Sequence, residues 1–275
     1  MQTLRELYDQ ALAEAPSSFE AGELFRFVTK ADPHTGDMGA LVDDARVAQL
    51  SSLLQARTLG HPLQYILGEW EFYGLPFKVG PGVLIPRQDT ETLVDLALER
   101  LRERCMQSPS VLDLCSGTGC VAVAIKHNYP GARVTALEVS DKAFEYLQRN
   151  IALNGVEVTA LHGDLRGYEY RGAIDMVVAN PPYIPKREFA GLQAEVKHEP
   201  ILALDGGEDG MRYFRAIARR YKEQLAPGGV LLLEIGAGQQ DGVGQILGSF
   251  GFEGVREHRD LNGIVRVVEA TAGDV

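Results

Sequence analysis

The chain has 275 residues, enough for one large domain or two unequal ones with a sizeable core. Hydrophobic residues make up 45% and charged residues 24%, which excludes disordered, collagen-like and low-complexity chains. With 27 basic against 38 acidic side chains the net charge is -11, and a field of that sign argues against duplex nucleic acid as the main substrate.

The chain starts on an amphipathic pattern without a signal-peptide stretch, and no apolar run approaches the ~20 residues of a membrane helix. Cys105, Cys115 and Cys120 have neither CxxC nor Cys/His spacing, and no histidine, His198 included, sits in an HExxH or other ligand spacing. These features predict reduced thiols, no metal site and a cytoplasmic protein.

Apolar residues recur at helical spacing through about residue 67: Leu4, Leu7, Tyr8 and Ala11, then Ala21, Leu24, Phe25 and Val28, then Val47, Leu50 and Leu54. Residues 1–67 are therefore expected to form a small helical bundle, with Ser17 and Glu20 as a capping box at the second helix. The stretch from Asp32 and Pro33 to Gly36 interrupts the pattern. Residues 68–88 interleave Trp70, Phe72, Tyr73, Phe77 and Val79 with glycines and prolines, which predicts a hairpin-like connector between domains.

From residue 89 to 275 helix-like and strand-like segments alternate, with buried strands expected at 111–115, 133–138, 156–162, 174–180, 230–234 and 264–269. That rhythm predicts an α/β sheet covered by helices on both faces. Arg212, Arg215, Arg219, Arg220 and Lys222 lie mostly along one such helix and read as a solvated face.

The first strand runs into Asp113, Leu114, Cys115, Ser116, Gly117, Thr118 and Gly119, and Ala122 completes a GxGxxA spacing. Glu138 ends the next strand, nineteen residues beyond Gly119, where a carboxylate accepts ribose hydroxyls. The two features together indicate a nucleoside-containing cofactor. Asp113 distinguishes its kind: an anion before the glycines repels a pyrophosphate but accepts hydrogen bonds from the ammonium of a methionine moiety. Asp164, closing the third strand before Leu165, is placed to accept from an adenine amine, although an aspartate there also forms turns.

Asn180, Pro181, Pro182 and Tyr183 follow the fourth strand, at the sheet edge where open α/β folds bind ligands. An amide nitrogen is a poor nucleophile because its lone pair is delocalised. The Asn180 oxygen and the Pro181 carbonyl can accept its two N–H bonds and aim that lone pair at a methyl donor. Pro181 and Pro182 keep the acceptors fixed, and Tyr183 can stack on a planar target. A plain strand stop is the alternative. The second glycine-rich strand end, Glu234 to Gly238, lacks a following acidic strand end and reads as a turn with no ligand.

With these residues the chain resembles the protein-(glutamine-N5) methyltransferase family that modifies peptide chain release factors, the HemK/PrmC family. The resemblance also rests on the connector Leu84 to Glu91 and on the downstream segments His198 to Pro200, Ala203 to Gly207 and Asp209-Gly210. It implies a small helical bundle for substrate recognition, followed by a seven-stranded Rossmann-like class I methyltransferase domain. It further implies S-adenosylmethionine at Cys115 to Gly119, Glu138, Asp164, Leu165 and Asn180, and a target glutamine at Asn180 to Tyr183. The substrate would be the glutamine of a Gly-Gly-Gln loop in release factors; the net charge disfavours a nucleic acid partner and the lack of a long apolar run predicts no membrane partner. Cys115-Ser116, Gln88 and Leu165 depart from residues frequent in the family, namely Gly-Thr, proline and an aromatic. The Asn-Pro-Pro-Tyr motif is shared with adenine-N6 methyltransferases of DNA or RNA, which remain an alternative. A non-catalytic cofactor-binding module or an NAD-dependent enzyme is another.

Overall fold

The structure is a computed structural model that describes residues 2–170 and 172–273. Residues up to Glu69, with Gln193–His198, form one compact unit, and Trp70–Leu192 with Glu199 onward form the other. The sequence reading had assigned 193–198 to the α/β part.

In the first unit β1 (Gln2–Thr3) pairs antiparallel with β2 (Leu41–Val42), and four helices follow the apolar periodicity: α1 (Leu4–Glu14), α2 (Ser18–Thr29), α3 (Asp44–Thr58) and α4 (Leu63–Leu67). Leu7, Ala11, Ala21, Leu24, Phe25, Leu50 and Leu54 form its core, each large side chain contributing about 1.5–3 kcal/mol on burial. The capping box forms at α1, where Thr3 Oγ1 accepts from the Glu6 amide and Glu6 accepts from the Thr3 amide. At α2 only half of the expected box exists. Ser17 Oγ accepts from the Glu20 amide at 3.2 Å, but the Glu20 carboxylate turns instead to Arg57, taking Nε at 2.5 Å and Nη2 at 3.0 Å.

Arg57 explains this preference. Its side chain is only 3% exposed and also donates to the His61 carbonyl and, at 2.6 Å, to Glu195. A buried guanidinium is tolerated only when its donors are taken, so the long-range partner outcompetes the local cap. Arg57→Ala would leave Glu20 facing an uncompensated space. We expect a loss of about 3 kcal/mol in the unfolding free energy of this unit, read as a lower urea midpoint; an unchanged midpoint would contradict the role.

The second unit opens with a hairpin, β3 (Glu69–Phe72) and β4 (Leu75–Lys78). Its two-residue turn places both Tyr73 (φ 54) and Gly74 (φ 72) in the left-handed region, as a tight hairpin turn requires. A 3-10 turn at Gln88–Thr90 leads into α5 (Glu91–Glu103). The α/β alternation follows: β5 (Ser110–Leu114), α6 (Cys120–Asn128), β6 (Arg133–Glu138), α7 (Asp141–Asn154), β7 (Val158–His162), β8 (Ile174–Ala179), α8 (Arg212–Tyr221), β9 (Leu225–Glu234), α9 (Gln240–Ser249), β10 (Glu253–Arg259) and β11 (Val265–Thr271). The strands form one seven-stranded sheet in the order β10-β11-β9-β8-β5-β6-β7, with β11 antiparallel to both neighbours and the pairs from β9 to β7 parallel.

Alternate strand residues supply two cores. Val111, Val134, Ala136, Met176 and Val178 pack with α5 and α6, whereas Leu112, Leu114, Val177 and Ala179 pack with Phe214, Ile217 and Tyr221 of α8 and Val243 and Leu247 of α9. All six expected strands are present, β7 starting two residues later than expected and β9 five residues earlier. Strand β10 escaped the sequence reading. As a polar edge strand, Glu-Gly-Val-Arg-Glu-His-Arg, exposed along most of its length, it has no buried face to impose alternation. On α8 Arg215 and Arg219 are solvated, but Arg220 folds back to donate to the Tyr168 carbonyl at 2.7 Å. No helix among the described residues is long and apolar enough to cross a membrane.

The connection decides where a ligand fits. The chain runs β5, β6, β7 in one direction and returns to β8 on the other side of β5, so the strand order reverses between β5 and β8. Helix connections diverge at such a point and leave a crevice at the carboxyl ends of the strands.

Candidate functional site

The crevice holds a cavity lined by the loop Gly82–Arg87, Thr90, the turn after β5, the ends of β6 to β8, and Pro200, Leu202 and Ala203 with Tyr213. Asp113, Cys115, Ser116, Gly117, Thr118, Glu138, Asp164, Leu165, Asn180 and Pro182 all line it. Gly119, Pro181 and Tyr183 do not.

Each position has a local cause. After β5 the backbone turns sharply, with Cys115 at φ 60 in the left-handed region. The Ser116 amide donates to the Leu137 carbonyl at 3.1 Å, holding the turn to β6. Gly119 stands behind the cavity: a Cβ there would lie 2.4 Å from Leu147 Cδ1, so its lack of a side chain lets α6 and α7 approach. Asn150 of α7, fully buried, donates to the Thr118 and Lys78 carbonyls and accepts from the Lys78 amide, tying the turn to the hairpin.

Asp113 is 1% exposed, and its Oδ2 has no hydrogen-bond partner. Burial pushes its carboxyl up to about 7, against the pull of Ser116 and the Ala122 amide. A buried acceptor left unpaired beside a cavity calls for a donor from a ligand. Glu138 differs. Its Oε2 accepts from the Gly117 amide at 2.8 Å, and its Oε1 accepts from the Val139 and Ser140 amides at 2.9 and 2.8 Å. With about four acceptor positions on a carboxylate, one remains, on Oε2; taking both hydroxyls of a ribose would require an amide to be given up. Burial raises the Glu138 pKa and these amides oppose the shift.

Asp164 is engaged by its own turn. It accepts from the Arg166 amide at 2.8 Å and from the Arg166 guanidinium, whose Nη2 lies 2.6 Å away, and this pairing holds its carboxyl below the usual range. The neighbouring Leu165 is buried and supplies an apolar cavity wall.

Asn180 follows β8, and its Nδ2 donates to Thr90 Oγ1 at 3.2 Å. Pro181 and Pro182 are buried, and Tyr183 is half-buried, its carbonyl accepting from Gln239 Nε2 at 2.9 Å. The segment after it is zipped to the downstream loop: Ile184 donates to Leu204 and accepts from Gly206, and Lys186 donates to Gly207. Leu84 to Arg87 are held from the other side by buried Glu199, which accepts from the Ile85 amide at 3.1 Å and pairs with Arg87. The downstream segments thus clamp the crevice.

Sequence reasoning missed Thr90, Asn150, Glu199 and Glu234 as contributors. Thr90 and Glu199 lay inside segments noted only for the resemblance. Glu234 was set aside with its turn, which does form, the Gly236 amide donating to Gln239 Oε1 at 2.9 Å. The unpaired Asp113 oxygen, the remaining Glu138 lone pair and the apolar wall at Leu165 fit S-adenosylmethionine by its ammonium, ribose and adenine.

A test follows from Asp113. Its pKa is raised on folding from about 3.9, so the folded state binds the extra proton between the two values, and the group costs stability as pH rises from about 4 to 7. Asp113→Asn is therefore expected to stabilise the cofactor-free protein by about 4 kcal/mol at pH 8, with the gain fading toward pH 5, while weakening S-adenosylmethionine more than adenosine. Thermal unfolding at both pH values checks it; a gain independent of pH would contradict it.

Comparison with known proteins places this geometry. A family model described as Methyltransferase small domain matches residues 86–198. A release factor glutamine methyltransferase of Geobacter sulfurreducens is 43% identical over 230 residues, covering 82% of this chain and 79% of that protein. Another, of Gloeobacter violaceus, is 39% identical over 272 residues and covers 94% of each chain. Among solved structures, a T. thermophilus 16S rRNA methyltransferase in complex with AdoMet and guanosine is similar in fold, with a TM-score of 0.54 at 20% identity, covering 74% of this chain and 49% of that one.

Proposed function

The chain belongs to the release factor glutamine methyltransferase family, and from that premise we propose that it methylates the side-chain amide nitrogen of the glutamine in the Gly-Gly-Gln loop of peptide chain release factors. The observation that carries this reading is the Asn180 side chain in the cavity wall, its nitrogen tied to Thr90 and its oxygen therefore left for a substrate N–H.

When bound, S-adenosylmethionine supplies an electrophilic methyl group on a positively charged sulfur. Asp113 Oδ2 would receive its ammonium and Glu138 Oε2 a ribose hydroxyl, and Leu165 would supply the apolar wall for its base. Asn180 Oδ1 accepts an N–H of the target amide, drawing the nitrogen lone pair out of conjugation, whereas Pro181, off the cavity wall, holds the turn that presents Asn180. The buried prolines after Asn180 keep this acceptor from relaxing. No strong base is needed before attack.

A glutamine amide is small and abundant, so this pocket alone does not select one protein glutamine from many. Selection needs contacts remote from the chemistry, and residues 1–67 together with the connector 68–88 are the part of the chain we assign to them. The flanking glycines of a Gly-Gly-Gln loop let it extend into a narrow site. Initial rates are to be compared on intact release factor, a short Gly-Gly-Gln peptide and adenine-containing DNA, with the methylated residue mapped by mass spectrometry. We expect intact release factor to be preferred over the peptide by at least ~100-fold. Preferential labelling of DNA would overturn the assignment, and equal rates on peptide and protein would remove the recognition role.

A further inference from the structure

We propose that Glu234, at the end of β9, is a positioning residue for Asn180: acting on the Asn180 nitrogen directly and through the Thr90 hydroxyl, it fixes which end of the Asn180 amide faces the substrate. The inference rests on the reading of Asn180 as the group that holds the target amide.

The two ends of an asparagine amide have nearly the same shape and opposite hydrogen-bonding character. With the oxygen toward the cavity, Asn180 accepts from a substrate NH2; turned over, it presents donors to donors and excludes that substrate. Something must therefore select one orientation. The Asn180 Nδ2 donates to Thr90 Oγ1 at 3.2 Å, but a hydroxyl both donates and accepts, so this bond by itself permits either orientation.

What breaks the symmetry lies behind Thr90. That residue is only 2% exposed, at the end of the 3-10 turn before α5, where bulk water does not reorient its hydroxyl. The Glu234 carboxyl, also 2% exposed, is reached by the side chains of both Thr90 and Asn180, whose hydrogen bonds favour its charged form, and its Oε2 has no hydrogen-bond partner. An ionised carboxylate only accepts. It turns the single Thr90 proton toward itself, leaves the Thr90 lone pairs for the Asn180 nitrogen, and thereby directs the Asn180 oxygen outward. An acid in this place is otherwise costly, since a buried carboxyl with an unpaired oxygen weakens the fold.

The charged and titratable groups around Glu234 leave it without a dedicated counter-ion. Arg266 is shared by Asp89, at 2.8 Å, and Asp260, at 3.1 Å. Arg266 favours the Glu234 charge and Asp89 opposes it, while the Tyr183 and Cys120 side chains also sense it. Burial is the largest influence and pushes the Glu234 carboxyl up to about 7. Ionised at pH 8, the carboxylate holds the orientation. Protonated at pH 6, it can donate to Thr90, and the two amide orientations become comparable.

The test uses the full chain with Glu234→Gln, Thr90→Ser and Thr90→Val. The first readout needs no cofactor: the side-chain NH2 resonances of Asn180 in nitrogen-15-labelled protein, followed from pH 6 to 8. The second is turnover at saturating S-adenosylmethionine and release factor, a condition that removes the effect of Asp113 on cofactor binding. We expect the wild-type Asn180 resonances to shift with a midpoint near 7, and those of Glu234→Gln to be displaced and insensitive to pH. We expect Glu234→Gln to lower turnover ~10-fold at pH 8, with KM for both substrates within about twofold, and to abolish the decline in turnover between pH 8 and 6. Thr90→Val should reproduce part of this loss, the direct Glu234 contact remaining, and Thr90→Ser should keep most of the wild-type rate. Wild-type resonances and turnover in Glu234→Gln would overturn the proposal. So would a loss of melting temperature and cofactor affinity with the pH profile unchanged, which would mark a merely structural role. If the wild-type protein methylates no glutamine, the functional reading fails, while the resonances still decide whether Glu234 orients Asn180.

Discussion

Asn180→Ala is expected to lower the maximal rate of methyl transfer at least ~100-fold, the scale seen when one preorganised polar group is removed from a transition-state site, while cofactor affinity changes only a few-fold. The asymmetry follows from what the side chain touches. Its nitrogen is tied to Thr90, which leaves its oxygen for a ligand, whereas the unpaired Asp113 oxygen and the Glu138 carboxylate stand on neighbouring strands and are left intact. An interaction made chiefly in the transition state lowers turnover without a matching change in binding. Single-turnover rates and calorimetry on the same preparation check it. A rate near wild type in the folded variant would remove Asn180 from the chemistry.

The second large effect is expected far from any reacting atom, at Gly206. A Cβ there would lie 2.7 Å from the Tyr183 carbonyl carbon, 2.8 Å from Tyr183 Cα and 2.8 Å from Gly210 Cα. All three are backbone atoms, so no side-chain rotation relieves the contact. The Asn180 to Tyr183 segment must move instead, and a displacement near 1 Å costs on the order of 100-fold in a preorganised site. Gly206→Ala is accordingly expected to lose about two orders of magnitude in turnover while retaining cofactor binding. Gly248→Ala in α9, where a Cβ meets nothing within 4 Å, serves as the control and should be neutral or slightly stabilising. Wild-type turnover in Gly206→Ala would show that the clamp yields.

The sequence determined those features whose cause is local. Strands β5, β6 and β8 are buried on both faces, so they read as short continuous apolar runs, and the glycine turn, Glu138 and Asn180 follow them directly in the chain. Helix periodicity likewise marked the core residues of the first unit, from Leu7 to Leu54. Tertiary structure decided features that depend on residues distant in the chain. Glu20 had the spacing of a cap but was taken by Arg57, 37 residues away. The polar edge strand β10 was defined by pairing with β11, which its own pattern did not announce. Glu138 carried the right chemistry at the right place, yet only the folded backbone showed that three amides already occupy it. Thr90, Asn180 and Glu234 come from a 3-10 turn and two different strand ends, and no spacing in the chain marks them as a group. Spacing along one element is set by bond geometry and is legible in a linear pattern. Which carboxylate meets which hydroxyl is settled by sheet order and burial, where the cost of an unpaired polar group selects among partners that local pattern leaves equivalent.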